Sequence, residues 1–311
     1  RNEPCPTCAF VDDRGPEGLF QITVPRGGAT RVDESGPAHI AVRDLVAREI
    51  DGVFTGQRVS RLEAEVRQII IGYIDAVVEA GHCDLVADIT GPFAMDVIAA
   101  VLGLPQDDRA ELRVLADKIL IRDDSSMSIP EEALEGMIGL VEYFTADLSR
   151  RTGGGGEGLI SDLVRCDVNG RALTESELLG FCVLFVIAGH ETTTKMVSNA
   201  VEILSRHSDQ RRALVEDPGL VPDAVEEVLR FHNSTQYMHR TLTRDIEIHG
   251  QTMKAEDSVL LLIGAANHDE REFGPTAGSF DICRRPDRHL AFGYGAHFCL
   301  GAALARMEGR I

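Results

Sequence analysis

Cys299 lies in a glycine-punctuated segment near the end of the 311-residue chain. The segment runs from Phe292 to Gly301 as Phe-Gly-Tyr-Gly-Ala-His-Phe-Cys-Leu-Gly, and the alanine-rich stretch that follows predicts a helix. Glycines let the backbone turn tightly and approach a flat ligand, while unpaired N–H groups at a helix N-terminus favour sulfur as an anion. The pattern therefore indicates a thiolate site. The plain alternative is a small buried cysteine that only fills a loop.

A second candidate segment, Ala-Gly-His-Glu-Thr-Thr, spans Ala188 to Thr193 within an apolar stretch. An acid next to a hydroxyl group in an apolar helix can relay protons to a reacting group, so Glu191 and Thr192 are the relay candidates. The alternative is a threonine that bonds back to a helix carbonyl and a glutamate in a surface ion pair. The expected burial of this segment favours the relay.

A third segment, Glu227-Val228-Leu229-Arg230, places opposite charges three residues apart on one helix face. Such a pair alone is usually a modest surface interaction.

The first of these segments resembles the haem-binding loop of the cytochrome P450 family at each position that defines the loop. The resemblance implies that Cys299 is the axial iron ligand, whose thiolate donates electron density to iron and favours O–O cleavage. It also implies haem contacts for Phe292, Gly293 and Gly301, and a propionate contact for His297. A plain surface histidine is the alternative at His297.

The other two segments resemble the same family. The helix segment is similar to its oxygen-activation segment, in which small residues such as Ala188 and Gly189 leave room for dioxygen. Glu227 and Arg230 are similar to its Glu-x-x-Arg pair, which braces the chain beneath the haem. Many members carry an Arg or His where this chain has Ser279. The brace is therefore either altered or completed by Arg284.

Further matches concern the two haem propionates, for which cationic partners make electrostatic sense. The resemblance implies that His39 and Arg43 belong to a helix that reaches the propionates, and that Arg240 makes a third contact. Residues 265–269 also fit the family pattern, whereas Ser234 replaces a common proline.

The elements that must position these residues are mostly helical. Thr174 and Glu177 form a capping box that opens a long helix, apolar on almost every face as far as Ala188, which predicts a buried central helix. Further helices are predicted over 60–77, 95–102, 107–120 and 128–151, and strands over 245–249 and 259–263. Ser60 and Glu63 are predicted to form a capping box at the start of the first of these helices. The predicted fold is mainly α with a minor β part, a cytochrome P450-like helical fold.

Composition limits the function classes. The formal net charge of −19 disfavours nucleic-acid binding. The longest apolar run, Leu178–Ala188, is too short to span a membrane, so the expected location is the cytoplasm. Residues 1–311 are predicted to form a single cytochrome P450-like domain that is incomplete at both ends.

The seven cysteines are an odd number in a long chain, which indicates reduced thiols rather than a disulfide framework. Cys5 and Cys8 have the spacing of a redox or half-zinc element, but no second pair completes a metal site in the sequence.

The resemblance implies a haem b (iron protoporphyrin IX) enzyme that activates dioxygen and inserts one oxygen atom into a small apolar organic substrate. The sequence lacks a Gly-x-Gly-x-x-Gly motif after a strand, so we expect an external ferredoxin or flavodoxin as electron donor. The arginines of residues 281–311 form either a docking face for that donor or an ordinary solvated surface. A haem-binding sensor or carrier and an inactive homologue are the alternative functions.

Overall fold

The computed structural model describes residues 57–121, 129–151, 156–168 and 171–311, together with three two-residue strands nearer the start of the chain. Several predicted features lie outside the described residues, namely Cys5, Cys8, His39 and Arg43. The described part is mainly helical with a minor β part, as predicted.

The helices carry most of the described chain. In order they are α1 (Gln57–Val78), α2 (Gly91–Leu102), α3 (Arg109–Ile119), α4 (Glu131–Arg151), α5 (Leu159–Arg165), α6 (Glu175–Arg206), α7 (Ser208–Glu216), α8 (Val221–Phe231), α9 (Ile263–Ala266), α10 (Glu270–Phe273) and α11 (Ala302–Arg310). A π-helical turn, Leu85–Thr90, leads directly into α2.

The strands are short. In order they are β1 (Val11–Asp12), β2 (Thr23–Val24), β3 (Gly28–Ala29), β4 (Asp167–Val168), β5 (Arg171–Ala172), β6 (Met238–Leu242), β7 (Ile246–Ile248), β8 (Gln251–Met253) and β9 (Ser258–Leu261). Strand β6 lies between β1 and β9 in a three-stranded sheet, and the other strands form two-stranded antiparallel pairs.

The periodicity of apolar residues predicted α1 to α4 and α6 correctly, with one error at the start of α1. That helix begins at Gln57 and runs through Ser60, so Ser60 does not cap it and the predicted capping box with Glu63 is wrong. Gln57 and Arg58 are good helix formers, so nothing in the local sequence stops the helix one turn upstream.

The second predicted capping box is confirmed at the start of α6. The backbone N–H of Glu177 donates to the Thr174 hydroxyl at 3.3 Å, and the backbone N–H of Thr174 donates to the Glu177 carboxylate at 2.8 Å. Two N-terminal donors of the helix are thereby satisfied by side chains. This cap fixes the start of the 32-residue helix that carries the candidate relay residues.

The chain divides into two compact units, and one of the boundaries between them falls within α6. The first unit consists of Arg1–Arg58, Met95–His190 and His239–Val259. Its described core includes Leu112, Leu140 and Phe144, which are fully buried. A buried ion pair between Arg151 and Asp147, 2.5 Å apart, closes the end of α4.

The second unit consists of Val59–Ala94, Glu191–Met238 and Leu260–Ile311. It therefore contains Glu191, Thr192, the Glu-x-x-Arg helix α8 and the entire Cys299 segment. An apolar cluster joins α6, α8 and the cysteine segment. Its buried members are Met196, Val225, Leu229, Phe292 and Ala302.

Within the described residues, one helical stretch, Leu85–Leu102, is long and apolar enough to cross a membrane by composition. Half of this stretch is buried in the protein, and it contains Asp88 and Asp96. Burial of this kind is typical of a core helix.

Candidate functional site

The cysteine segment is a closed loop that ends at α11. Gly293 and Gly295 have φ angles of 72° and 77°, in the left-handed region that glycine adopts without strain. These turns bring the chain back on itself, and the backbone N–H of Cys299 donates to the carbonyl of Phe292 at 2.8 Å. Phe292 is buried beneath the loop, whereas Cys299 is exposed. The loop thus presents the thiol to its surroundings.

Cys299 is exposed, whereas a cysteine that only fills space in the protein is expected to be buried. Cys182 on α6 is buried, and desolvation raises the pKa of its thiol to about 12, which makes it inert. Cys299 lies three residues before α11, and its carbonyl accepts a hydrogen bond from the N–H of Ala302. The exposed thiol, the helix start and the tight glycine turns fit a thiolate that ligates a flat metal cofactor.

Arg306 lies within electrostatic reach of Cys299. Its guanidinium donates to Glu226 at 2.6 and 2.9 Å and lies 4.6 Å from the centre of the Phe292 ring. The hydrogen bond to Glu226 raises the pKa of Arg306, and the negative charge of the Cys299 thiolate adds a smaller increase. The positive charge therefore favours the thiolate form.

Glu226 is held as a carboxylate by two partners. Burial tends to raise its pKa, but hydrogen bonds from His289 and Arg306 outweigh burial and lower the pKa to about 2. The N–H of Ala291 donates to Nδ1 of His289, so Nε2 carries the proton and donates to Glu226 at 3.0 Å. This network ties α8 to the residues that precede the cysteine loop.

The predicted Glu-x-x-Arg brace is present and fully buried. Arg230 donates to both carboxylate oxygens of Glu227, at 2.7 and 2.8 Å. Its remaining N–H groups donate to the carbonyls of Asn267 and Ala277 at 2.7 and 2.8 Å. The side-chain oxygen of Asn267 accepts from the N–H of Leu290 at 2.8 Å, two residues before the cysteine loop. The brace therefore reaches the loop through Asn267.

Arg284 is the third member of the brace, which resolves the alternative left open by the sequence. Its Nε donates to Glu227 at 3.1 Å. Ser279, where many family members have Arg or His, contributes only its carbonyl, which accepts from Arg230 and Arg284 at 3.1 and 2.9 Å.

The arginines that were considered for a basic docking face are largely neutralised. Arg284 is paired with Glu227 as described, and Arg285, Arg288 and Arg306 form ion pairs with Asp223, Glu272 and Glu226 respectively. Paired charges produce a weaker field than free ones. These four arginines therefore do not form a strongly basic face.

The relay candidates are less buried than the sequence predicted. Thr192 is exposed, and Glu191 is partly buried and forms an ion pair with Lys195 one turn later. Ala188, one turn before Thr192 on the same helix, is exposed as well. The prediction of burial was wrong because a helix that is apolar all round gives no sign of which face stays open.

Gly189 has a packing role within the first unit. A Cβ atom at this position would lie 2.7 Å from the Ile98 side chain, so only glycine permits this approach of α6 to α2. Its neighbour His190 is buried and lies 2.7 Å from Asp117 of α3, a contact that sequence reasoning missed. No spacing links residues 73 positions apart, so the sequence carried no signal for this contact.

Glu308 is a second residue that the sequence reasoning did not select. It is buried on α11 and accepts a hydrogen bond of 2.9 Å from the hydroxyl of Thr193, next to Thr192. The i to i+4 spacing from Leu304, which is also buried, was a signal that this glutamate faces inward.

The remaining candidates are placed as follows. Ser234 donates its hydroxyl to the carbonyl of Thr192 at 2.8 Å, an interaction that a proline could not make. Arg240 on β6 belongs to the first unit and donates to the carbonyl of His239 at 2.7 Å. His297 is partly buried in the short 3₁₀ turn Gly295–His297 of the cysteine loop.

Comparisons with known proteins agree on one family. The family model described as Cytochrome P450 matches residues 159–311. A protein from Mycobacterium tuberculosis strain H37Rv named Putative cytochrome P450 123 is 37% identical over 279 residues, which cover 88% of this chain and 67% of the relative. Cytochrome P450 monooxygenase PikC from Streptomyces venezuelae is 38% identical over 284 residues, covering 90% of this chain and 66% of PikC. This chain thus spans about two thirds of the length of both relatives.

Solved structures give the same result for the fold. The crystal structure of substrate-free CYP109E1 from Bacillus megaterium matches with a TM-score of 0.85 at 30% identity, covering 97% of this chain and 78% of the other. The predicted fold class, mainly helical with a long central helix and a cysteine loop, is therefore confirmed.

Proposed function

The chain belongs to the cytochrome P450 family, and we propose that Cys299 is its haem iron ligand, with Thr192 and Glu191 as the proton relay. The family and its named relatives identify an oxidoreductase, a haem-thiolate monooxygenase whose cofactor is haem b. It uses dioxygen, an organic substrate and electrons from a redox partner. The observation that carries the residue assignment is the exposed Cys299 thiol, which lies in the same compact unit as the exposed Thr192.

The residues of the loop fit the cofactor. Haem b, when bound, supplies the activation of dioxygen at an iron to which the thiolate donates electron density. Phe292, Gly293 and Gly301 would line the flat ligand, and His297 would contact a propionate. Arg306 lies within electrostatic reach of Cys299, and its positive charge favours a thiolate at that position.

Further contacts of the haem are proposed for residues beyond the loop. Arg240, together with His39 and Arg43, would pair with the propionates, since guanidinium and imidazolium groups match carboxylates in charge and geometry. Ala188 and Gly189, as small residues, would leave room on α6 for dioxygen. The small side chain of the exposed Ala188 supports this assignment.

The relay residues would deliver protons at the exposed face of α6. Thr192 offers a hydroxyl that can both accept and donate a proton, and Glu191 offers a carboxyl group one residue away. The ion pair with Lys195 keeps Glu191 at the edge of the helix, where it can exchange protons with water. Ser234 fixes the Thr192 backbone by its bond to the carbonyl.

We further propose that the substrate is small and apolar, that the donor is a ferredoxin or flavodoxin, and that the protein works in the cytoplasm as a single domain. The sequence supports an external donor because no Gly-x-Gly-x-x-Gly pattern in it follows a predicted strand. Exposed apolar side chains of the second unit support an apolar ligand, among them Tyr237, Met238 and Leu262.

The assignment of Thr192 is tested with a substrate found by screening small apolar compounds for a low-to-high-spin shift. Product formed per reducing equivalent is then compared for the wild type, Thr192→Ala and Ser205→Ala. Ser205 is the control, since it carries a hydroxyl on the same helix, where it donates to the carbonyl of Glu202 near the helix end. We expect a loss of at least about tenfold for Thr192→Ala and no change for Ser205→Ala. Equal yields in all three proteins would contradict the relay.

A further inference from the structure

One buried hydrogen bond joins the two helices that carry the proposed reactive residues. The hydroxyl of Thr193 on α6 donates to Oε2 of Glu308 on α11 at 2.9 Å. Both side chains are almost fully inaccessible, with 4% exposure for Thr193 and 6% for Glu308. Thr193 follows Thr192 directly, and α11 begins three residues after Cys299. The bond therefore connects the relay segment to the helix that follows the thiolate.

Glu308 is uncharged at neutral pH. Desolvation raises its pKa from 4.5 to about 8, and the hydrogen bond from Thr193 opposes this increase without cancelling it. A buried carboxyl group without a cationic partner keeps its proton rather than carry an unpaired charge. The protonated acid still accepts a hydrogen bond through its second oxygen.

The surroundings of Glu308 supply little charge. At the adjacent Gly309, the nearest atoms from other elements belong to Met196 on α6 and Val225 on α8, 3.2 and 3.1 Å from an added Cβ. The acids of α8 are engaged with other groups: Glu226 pairs with Arg306 and accepts a hydrogen bond from His289, and Glu227 pairs with Arg230 and Arg284. On α11 itself, Arg306 is engaged with Glu226, and Arg310 is exposed.

We propose that Glu308 is a positioning residue that holds the relay segment of α6 against the Cys299 helix through its uncharged hydrogen bond to Thr193. The proposal rests on the proposed roles of Thr192 and Cys299. Its consequence is a built-in sensitivity to alkali, since a proton lost from Glu308 places an unpaired charge between α6 and α11. That charge weakens the packing of both helices. Because Cys299 lies just before α11, its position is disturbed as well.

The test uses the full chain loaded with haem and three variants. Thr193→Val removes the donor with almost the same shape, Thr193→Ser keeps a hydroxyl, and Glu308→Gln keeps an acceptor that cannot ionise. The first readout is hydrogen–deuterium exchange of α6 amides around Thr192. We expect roughly fivefold faster exchange in Thr193→Val, the equivalent of one buried hydrogen bond, and no acceleration of exchange in the other two variants at neutral pH.

The second readout is the thiolate-type Soret band of the reduced protein with carbon monoxide, followed against pH. The wild type should lose this band with a midpoint near the pKa of Glu308, about 8. Glu308→Gln should abolish that step, because the amide has no proton to lose. Thr193→Val should move the step to higher pH, because the hydroxyl that lowers the pKa of Glu308 is gone, whereas Thr193→Ser should not move it.

Three results would overturn the proposal. Unchanged exchange in Thr193→Val would show that the bond does not hold α6. An alkaline step that persists in Glu308→Gln would assign the titration to another group. Faster exchange in Glu308→Gln, equal to that in Thr193→Val, would show that the acid itself, rather than its acceptor oxygen, is required. A failure of the proposed function is distinguishable, since a Cys299→Ser protein that keeps the thiolate band removes the ligand assignment while leaving the exchange result intact.

Discussion

Loss of Arg284 should destabilise the protein far more than loss of an exposed arginine nearby. The Arg284 side chain is 9% exposed and bonds to the fully buried Glu227. It also donates to Phe273, to both the hydroxyl and the carbonyl of Thr276, and to the carbonyl of Ser279, at 2.7 to 3.2 Å. Arg284→Ala leaves Glu227 with only part of its neutralising charge and leaves several acceptors unpaired.

The magnitude follows from burial. Removal of one partner of a buried ion pair costs about 3–5 kcal/mol, and the cost here lies near the lower end, about 3 kcal/mol, because Arg230 still neutralises Glu227. Arg288→Ala is the matched control. Arg288 is 71% exposed and pairs with Glu272, itself 40% exposed, so its loss should cost under about 1 kcal/mol.

The assay is the urea midpoint of unfolding for the wild type and the two variants, with the denaturant slope checked for constancy. Arg284→Lys adds a graded variant, because an ammonium group keeps the charge but lacks the planar fork that serves several acceptors. It should lie between the wild type and Arg284→Ala. Midpoint shifts of equal size for Arg284→Ala and Arg288→Ala would refute the assignment of Arg284 to the brace.

Three further predictions concern helix contacts. Because the folded pKa of Glu308 is raised from 4.5 to about 8, its stabilising contribution is full below pH 4.5 and is lost as pH rises to about 8. At pH 7 the free energy of unfolding is lower by about 3 kcal/mol than it would be if Glu308 could not ionise in the unfolded chain. Glu308→Gln should therefore raise the unfolding midpoint at pH 7 but not at pH 4. Asp117→Ala should cost about 1–2 kcal/mol in urea unfolding, since the buried His190 ring loses that partner. Ser234→Ala should speed amide exchange around Thr192 by about twofold to fivefold, and an unchanged rate would contradict its anchoring role.

The sequence predicted the helices and the cysteine loop because both have local signals. Apolar spacing and the Thr174 cap are properties of neighbouring residues, and the structure confirms the helices they predict. For the brace, the sequence left two alternatives, an altered brace and one completed by Arg284. Only the fold decides between them, because the contact with Glu227 joins positions 57 residues apart.

The open face of α6 and the partner of Glu308 were not predictable. A helix that is apolar on all sides has no preferred exposed face, so Thr192 was expected to be buried and is not. Glu308 was not selected from the sequence, although its spacing from the buried Leu304 placed it on the inward side of the helix. A polar group on an apolar face is the local signal that could have identified it.

The central claim is that Cys299 supplies a thiolate to haem iron. The most direct measurement is the absorbance of the haem-loaded, reduced protein with carbon monoxide, compared with Cys299→Ser and with Cys283→Ser as an exposed-cysteine control. We expect a thiolate-type Soret band in the wild type and in Cys283→Ser, and its loss in Cys299→Ser. A thiolate band that survives in Cys299→Ser, or that disappears in Cys283→Ser, would contradict the assignment.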